Sequence, residues 1–235
     1  ELGGLENSSG YQGEGMVIAI LDTGLEISHK SFQNDPTDPA LTQTDIEKVL
    51  KDNNLRAETK KAGITASQVY HTAKVPFAFD YADNDLDVNP GNAGDHGIHV
   101  SGIAAANAGV VSDVVGTAPQ AQILAMKVFS SSGSNGATWD DILAAADDAV
   151  TLGANAFNLS LGIPNGFTTM NTYAQAGYQK AYNRAAAAGI SIAISAGNDT
   201  RDSRPGALVS GYTTLLPNNS KVGFSGSLFS PMTVA

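Results

Sequence analysis

Two histidines three residues apart stand in Gly94-Asp95-His96-Gly97-Ile98-His99-Val100-Ser101-Gly102, and they are half of the four in the chain. Imidazole titrates nearest neutrality, so one held at the mouth of a helix can accept and return a proton at physiological pH. A proton carrier of that kind needs a carboxylate, a nucleophile or a metal beside it. The zinc-binding HExxH helix spaces its histidines four apart and includes a glutamate, and this stretch has neither, which argues against a metal. The alternative is division of labour. His96 stands at the exposed helix start, His99 points one turn further in to the core and bonds backbone, and Gly97 leaves room for a bound chain.

A carboxylate stands at Asp22-Thr23-Gly24, directly after the apolar run Met16-Val17-Ile18-Ala19-Ile20-Leu21. An aspartate at the end of a buried strand is costly unless hydrogen-bonded or paired with a cation. The plain reading is a turn aspartate. Apolar residues followed by Asp-Thr-Gly are also how aspartic proteases present a carboxylate, but that chemistry takes two carboxylates sharing a proton. No second Asp-Thr-Gly or Asp-Ser-Gly occurs, so only a homodimer could supply the pair. Ala196-Gly197-Asn198 follows another apolar strand, where the Asn198 amide is either a turn residue or a donor projected into a cleft. No cysteine is present, which excludes thiol nucleophiles, thiolate metal sites and disulfides. Gly13-Glu14-Gly15 precedes its strand and no GxGxxG turn follows one, so a dinucleotide site is excluded too.

The elements that must hold these groups read as an α/β chain. The run 16–21 lacks alternation, as a strand buried on both faces of a parallel sheet does. Further strands are predicted over 122–128, 155–159 and 190–195. Helices are predicted over 100–106, from Thr138 (with Asp141 as its capping partner) to a stop at Gly153, and over 173–188. Strand, helix, strand, helix, strand implies right-handed crossovers and a parallel sheet. In such sheets ligands bind beyond the carboxyl ends of strands. The triplets Asp22-Thr23-Gly24, Ser160-Leu161-Gly162 and Gly197-Asn198-Asp199 all follow strand ends. Residues 32–68 form a polar surface insertion with one helical stretch, 45–51, and 78–92 a loop rich in Asp and Asn.

The totals fit one large domain or two small ones. The chain has 235 residues, 42% of them hydrophobic, and a net charge of −10, which argues against nucleic acid or an anionic membrane as main partner. No apolar run reaches the roughly 18 residues needed to span a bilayer.

Taken together, Ile18-Ala19-Ile20-Leu21-Asp22-Thr23-Gly24, His96-Gly97-Ile98-His99-Val100-Ser101-Gly102, Asn158-Leu159-Ser160-Leu161-Gly162 and Ser195-Ala196-Gly197-Asn198 resemble, in order, four motifs of the subtilases, the subtilisin-like serine proteases. Gly116-Thr117-Ala118-Pro119 and Ala125-Met126-Lys127-Val128 extend the likeness. The long Asp-to-His interval, with Val75-Pro76-Phe77-Ala78-Phe79-Asp80-Tyr81-Ala82-Asp83, looks most like the lactocepin branch of bacterial cell-envelope proteinases. The resemblance implies a three-layer α/β fold with a mostly parallel central sheet, incomplete at the C-terminus. Residues 1–235 would form the N-terminal part of one catalytic domain with an insertion at about 33–75.

It also implies roles. Asp22 would orient His96 and stabilise its imidazolium, His96 would be general base and then general acid, and Asn198 would donate to the oxyanion. Ser130, Ser131, Gly133, Ser160, Leu161, Gly162, Ala196 and Gly197 would line an extended polypeptide substrate added as a strand to an exposed edge. One departure stands out. The family's nucleophile lies in a Gly-Thr-Ser-Met-Ala type turn after the oxyanion asparagine, and nothing after Asn198 matches it. Gly223-Phe224-Ser225-Gly226-Ser227 lacks both the pattern and a following helix. The serine is therefore expected beyond Ala235, in a C-terminal remainder on the same or a separate chain. The implied protein is an extracellular endopeptidase, secreted or attached to the cell envelope, with no cofactor required for catalysis. Structural calcium is common in the family, and the 80–92 loop offers hard oxygen donors without EF-hand spacing, so its metal ligands stay unassigned. The alternatives are a non-catalytic peptide-binding module that kept the cleft, and the dimeric aspartic protease.

Overall fold

The computed structural model describes residues 10–52, 54–107, 114–133, 136–162, 172–195 and 232–234. Strand β1 (Val17–Asp22) is the apolar run expected, and five of its six residues are buried. It pairs in parallel with β3 (Gln122–Lys127), in a register that sets Val17 against Gln122 and Asp22 against Lys127. On the far side of β3 lies β2 (Phe77–Asp80), also parallel, with Asp80 opposite Lys127. The sequence reading gave 78–92 as loop throughout. A four-residue strand buried at every position shows no alternation, and the acids that follow mask its apolar start.

The chain divides into two compact units, residues 1–157 and 158–235. In the first, β4 (Ala156–Leu159) begins beside β1, where Asn155 donates its N–H to Val17 O (2.8 Å) and its side-chain oxygen accepts from Val17 N (2.8 Å). The core under these strands gathers Ile20, Phe32, Val75, Ala78, Ala105 and Ile123.

Where one helical stretch was expected between β1 and β2, the described residues form three α-helices, α1 (Gln43–Lys51), α2 (Arg56–Lys60) and α3 (Ala66–Val69). The last two are too short for a period to be read. Their polar caps make them instead, since Glu58 accepts from Leu55 N (3.2 Å) and Gln68 from Thr65 N (2.9 Å). The segment also contributes to the interior: Ile46, Leu55, Ala57 and Val69 are buried.

Helix α4 (His96–Ala105) has His96 at its start, as the division of labour between the two histidines supposed, and adds the Gly-containing turn 96–99 to the helical stretch read over 100–106. Helix α5 (Trp139–Thr151) begins as expected, with the Thr138 hydroxyl accepting from Asp141 N (3.3 Å) and donating to the Asp141 carboxylate (2.6 Å). Gly153 follows it at φ +75°.

In the second unit, α6 (Thr172–Ala187) precedes β5 (Ser191–Ser195), and β5 pairs in parallel with β6 (Met232–Val234). Helix and strand both lie within a residue or so of the predicted bounds. The architecture is α/β with a mostly parallel sheet.

Candidate active site

Asp22 ends β1 with its side chain 1% exposed, and His96 opens α4 with its side chain 52% exposed. The two meet. His96 Nδ1 lies 2.8 Å from Asp22 Oδ1, which also accepts the Thr23 N–H at 2.7 Å. With Nδ1 turned to the carboxylate, the ring's other nitrogen is the one left to exchange protons on the exposed side. Burial of the acid and exposure of the base is the arrangement a relay to an outside substrate requires.

Thr23 holds the two elements together. Its hydroxyl accepts from Gly97 N (2.9 Å) in the first turn of α4 and donates to Gly94 O (2.8 Å) ahead of it. One side chain thus satisfies a helix-start amide and fixes the approach of the helix to the strand end. Gly97 makes that approach possible. A Cβ there would run into the carbonyl oxygen of Gly24, with the Gly24 amide at 2.9 Å and Asp22 Cβ at 3.2 Å. Gly97 therefore makes room for the Asp22-Thr23-Gly24 turn itself, where the sequence suggested room for a bound chain.

His99 also departs from expectation. It is exposed and lines a shallow apolar groove with His29, Phe32, Ile98, Ile103 and Val115. Because α4 begins at His96, the stripe facing the core is Gly97, Ser101 and Ala105. His99 shares the opposite side with His96 and Ile103, three and seven residues along the helix.

The loop after β3 carries Ser130, Ser131 and Gly133. It rests against the 3-10 turn Gly91–Ala93, where Asn92 donates its N–H to Ser131 O (2.9 Å). Ser131 N–H goes to Asp83 Oδ2 (2.7 Å). Behind that loop Lys127 is wholly buried, in an ion pair with Asp80 and 3.5 Å from Asp83. Burial pushes the Asp80 carboxyl up, against the pull of Lys127. The Ser130 hydroxyl and the Ser131 amide hold the Asp83 carboxyl down at about 2.

Thr23, Asp83 and Lys127 were absent from the sequence-derived site. A lysine closing an otherwise apolar strand is the signal that could have drawn attention to Lys127, since a buried ammonium needs carboxylate partners.

Ser160, Leu161 and Gly162 follow β4 in the second unit. There Asn158 Nδ2 donates to Ser160 Oγ (2.9 Å) and Ser195 Oγ to Leu161 O (3.3 Å). Ala196, Gly197 and Asn198 lie outside the described residues, as do Ser225 and Ser227. Three acids of the 80–92 loop bond the backbone of that loop: Asp80 Oδ1 accepts from Ala82 N and Asp83 N, Asp85 from Asp87 N, and Asp87 from Asn89 N. Among the described residues no three His, Asp or Glu side chains are grouped to hold a metal. Nor is any described helix long and apolar enough to cross a membrane.

A model of the subtilase family, Peptidase_S8, matches residues 13–235. The PII-type proteinase of Lacticaseibacillus paracasei is 36% identical over 232 residues, and the PI-type proteinase of Lactococcus lactis subsp. cremoris 35% over the same length. Each alignment covers 96% of this chain and 11% of the relative, so the chain spans about a tenth of their length. The crystal structure of a lanthipeptide protease superposes with a TM-score of 0.58 at 18% identity, covering 96% of this chain and 50% of that one, which is a likeness of fold.

Proposed function

The chain belongs to the subtilase family, and we propose that it carries the acid–base half of a serine endopeptidase. The observation that carries this reading is the buried Asp22 carboxylate bonded to Nδ1 of a half-exposed His96. His96 takes the proton of a serine hydroxyl as that oxygen bonds the scissile carbonyl carbon, then gives it to the leaving amine. An acyl-enzyme results. His96 next takes a proton from water as the water oxygen bonds the acyl carbon, then returns it to the departing serine oxygen, which restores the serine hydroxyl and frees the acid. Asp22 keeps the imidazole in the tautomer that accepts on its outer nitrogen. Asn198 donates to the oxyanion, and Ser130, Ser131, Gly133, Ser160, Leu161, Gly162, Ala196 and Gly197 border the substrate strand. The chemistry requires no cofactor.

We assign the serine to chain beyond Ala235. Two observations support this: no Gly-Thr-Ser-Met-Ala type turn follows Asn198, and the relatives are about nine times longer than the stretch they share. Resemblance to the lactocepin branch supports work on polypeptides outside the cell, secreted or held at the envelope. A dimeric aspartic protease is disfavoured, because Asp22 is buried and its Oδ1 is committed to His96 and Thr23 N–H.

The test is labelling of the full-length protein with a fluorophosphonate, alongside turnover of a casein-type polypeptide. The expected result is one labelled serine C-terminal to residue 235, with labelling and turnover lost in His96→Ala. Unchanged turnover in that variant would refute the reading.

A further inference from the structure

Lys127 connects the candidate acid–base pair to the candidate substrate edge. Its Cα is the register partner of Asp22, and Val128 donates its N–H to Asp22 O (2.9 Å). Its stem passes Gly24, whose missing Cβ leaves the space: a Cβ there would stand 3.0 Å from Lys127 Cδ. Its ammonium is wholly buried, where a charge persists only if paired and hydrogen-bonded. Asp80 supplies the inner partner and is itself fixed by Ala82 N and Asp83 N, each at 2.9 Å.

Asp83 is different. It is 29% exposed, and the one oxygen that approaches Lys127 at 3.5 Å also accepts Ser131 N–H at 2.7 Å. On the opposite flank Ser131 O accepts from Asn92 N, and Gly133, at φ +67°, lies so close to Asn92 that a Cβ would stand 3.0 Å from its carbonyl carbon. Both main-chain groups of Ser131 are engaged inside the protein. Ser131 is thus an anchor, and the backbone around it is what a substrate strand can meet.

We propose that Asp83, held by Lys127, is a positioning residue that fixes the Ser130–Gly133 edge at a set distance from His96, and so selects for extended substrates. The inference rests on the endopeptidase reading above. An untethered edge pays an ordering cost when a strand adds to it, so its loss appears as weaker binding of long substrates, with the chemical step unaltered.

The test uses the full-length protein and two substrates, an extended peptide that runs along the edge and a single-residue ester that stops at the scissile bond. Asp83→Ala should raise KM for the peptide roughly tenfold to a hundredfold, the range for losing a charge-assisted hydrogen bond. It should leave kcat and both constants for the ester unmoved. Asp83→Asn, which keeps an oxygen for Ser131 N–H, should recover most of the loss. Equal losses on peptide and ester, or an unmoved peptide KM, would overturn the proposal. Hydrogen exchange at the Ser131 amide gives a readout apart from turnover: faster exchange in Asp83→Ala supports the anchor, and unchanged exchange overturns it. Failure of the endopeptidase reading is told apart by His96→Ala, which would then still turn over both substrates.

Discussion

His96 Nδ1 bonds the one oxygen of Asp22 that also accepts Thr23 N–H, at 2.8 and 2.7 Å. A carboxylate oxygen has lone pairs for both contacts, so an ionised Asp22 can hold the ring with its proton on Nδ1 while still accepting Thr23 N–H. Asp22→Asn keeps the shape but offers an amide that can turn its NH2 to the ring and invert the tautomer. In the full-length enzyme kcat should fall about 10⁴-fold with KM little changed, as when such a carboxylate is neutralised in other serine peptidases. A loss in kcat under about tenfold would show that the pair does not work as a unit.

Thr23 serves α4 through its hydroxyl, accepting from Gly97 N and donating to Gly94 O. Thr23→Val is close in volume but leaves a buried amide and a carbonyl without that partner, at a cost of about 1–3 kcal/mol. Thermal unfolding should show the loss, and kcat should fall with it because His96 rides on the same turn. Thr23→Ser should restore both. Failure of Ser to restore them would mean that the methyl group, packed in the turn, is what matters.

Much of this site was readable because its parts sit where chain order and periodicity leave a mark. Asp22 closes an apolar strand, His96 stands among glycines, and Thr138 precedes a helix with acids in its first turn. What stayed hidden depends on contacts between distant residues. Phe77–Asp80 becomes a strand only through its register with β3, and α2 and α3 form from caps over five and four residues. His99 turns outward because the inward-facing stripe of α4 is made of the small residues Gly97, Ser101 and Ala105, which the mixed Gly, Ala and Ile spacing of 94–105 does not mark. Asp83 looked like one more loop acid until Lys127 and Ser131 were found on either side of it.

Asp148 ties the segment between β1 and β2 to α5. It is fully buried and accepts from Arg56 N (2.5 Å), Ala57 N (2.9 Å) and Tyr81 OH (2.8 Å), with Arg56 to Asp147 (2.9 Å) and Lys60 to Asp141 (2.6 Å) alongside. Burial pushes its carboxyl from 3.8 up to about 6, against the pull of those donors. Between these values the folded state holds more protons than the unfolded one. Its contribution to stability is therefore full below about pH 4 and declines as pH rises to about 6, by on the order of 3 kcal/mol. Asp148→Asn opposes at least one N–H donor and should destabilise at every pH, but it removes this titration. Hydrogen exchange at the Arg56 and Ala57 amides, corrected for intrinsic rates, should show a wild-type advantage that shrinks as pH rises from about 4 to about 6, the titration window set by that shift. An advantage that grows over that range would contradict the assignment.

Gly97 faces the Asp22-Thr23-Gly24 turn with no space for a side chain, its hypothetical Cβ colliding with Gly24 O and standing 2.9 Å from Gly24 N. Those obstacles are backbone, at the end of a buried strand, so they do not yield as a flexible side chain would. Gly97→Ala must then push the start of α4 outward and carry His96 with it. Overpacking of this kind costs about 1–3 kcal/mol. A shift of about 1 Å in a catalytic group is enough for roughly a 10²-fold loss in rate. Melting of the full-length variant should show a modest drop, while kcat falls far more than the lost folded fraction explains. Ala at Gly102, which meets nothing within 4 Å on the same helix, serves as the control and should leave kcat intact. Equal effects of the two substitutions would mean that α4 tolerates displacement, and that the close approach of Gly97 to Gly24 does not set the position of His96.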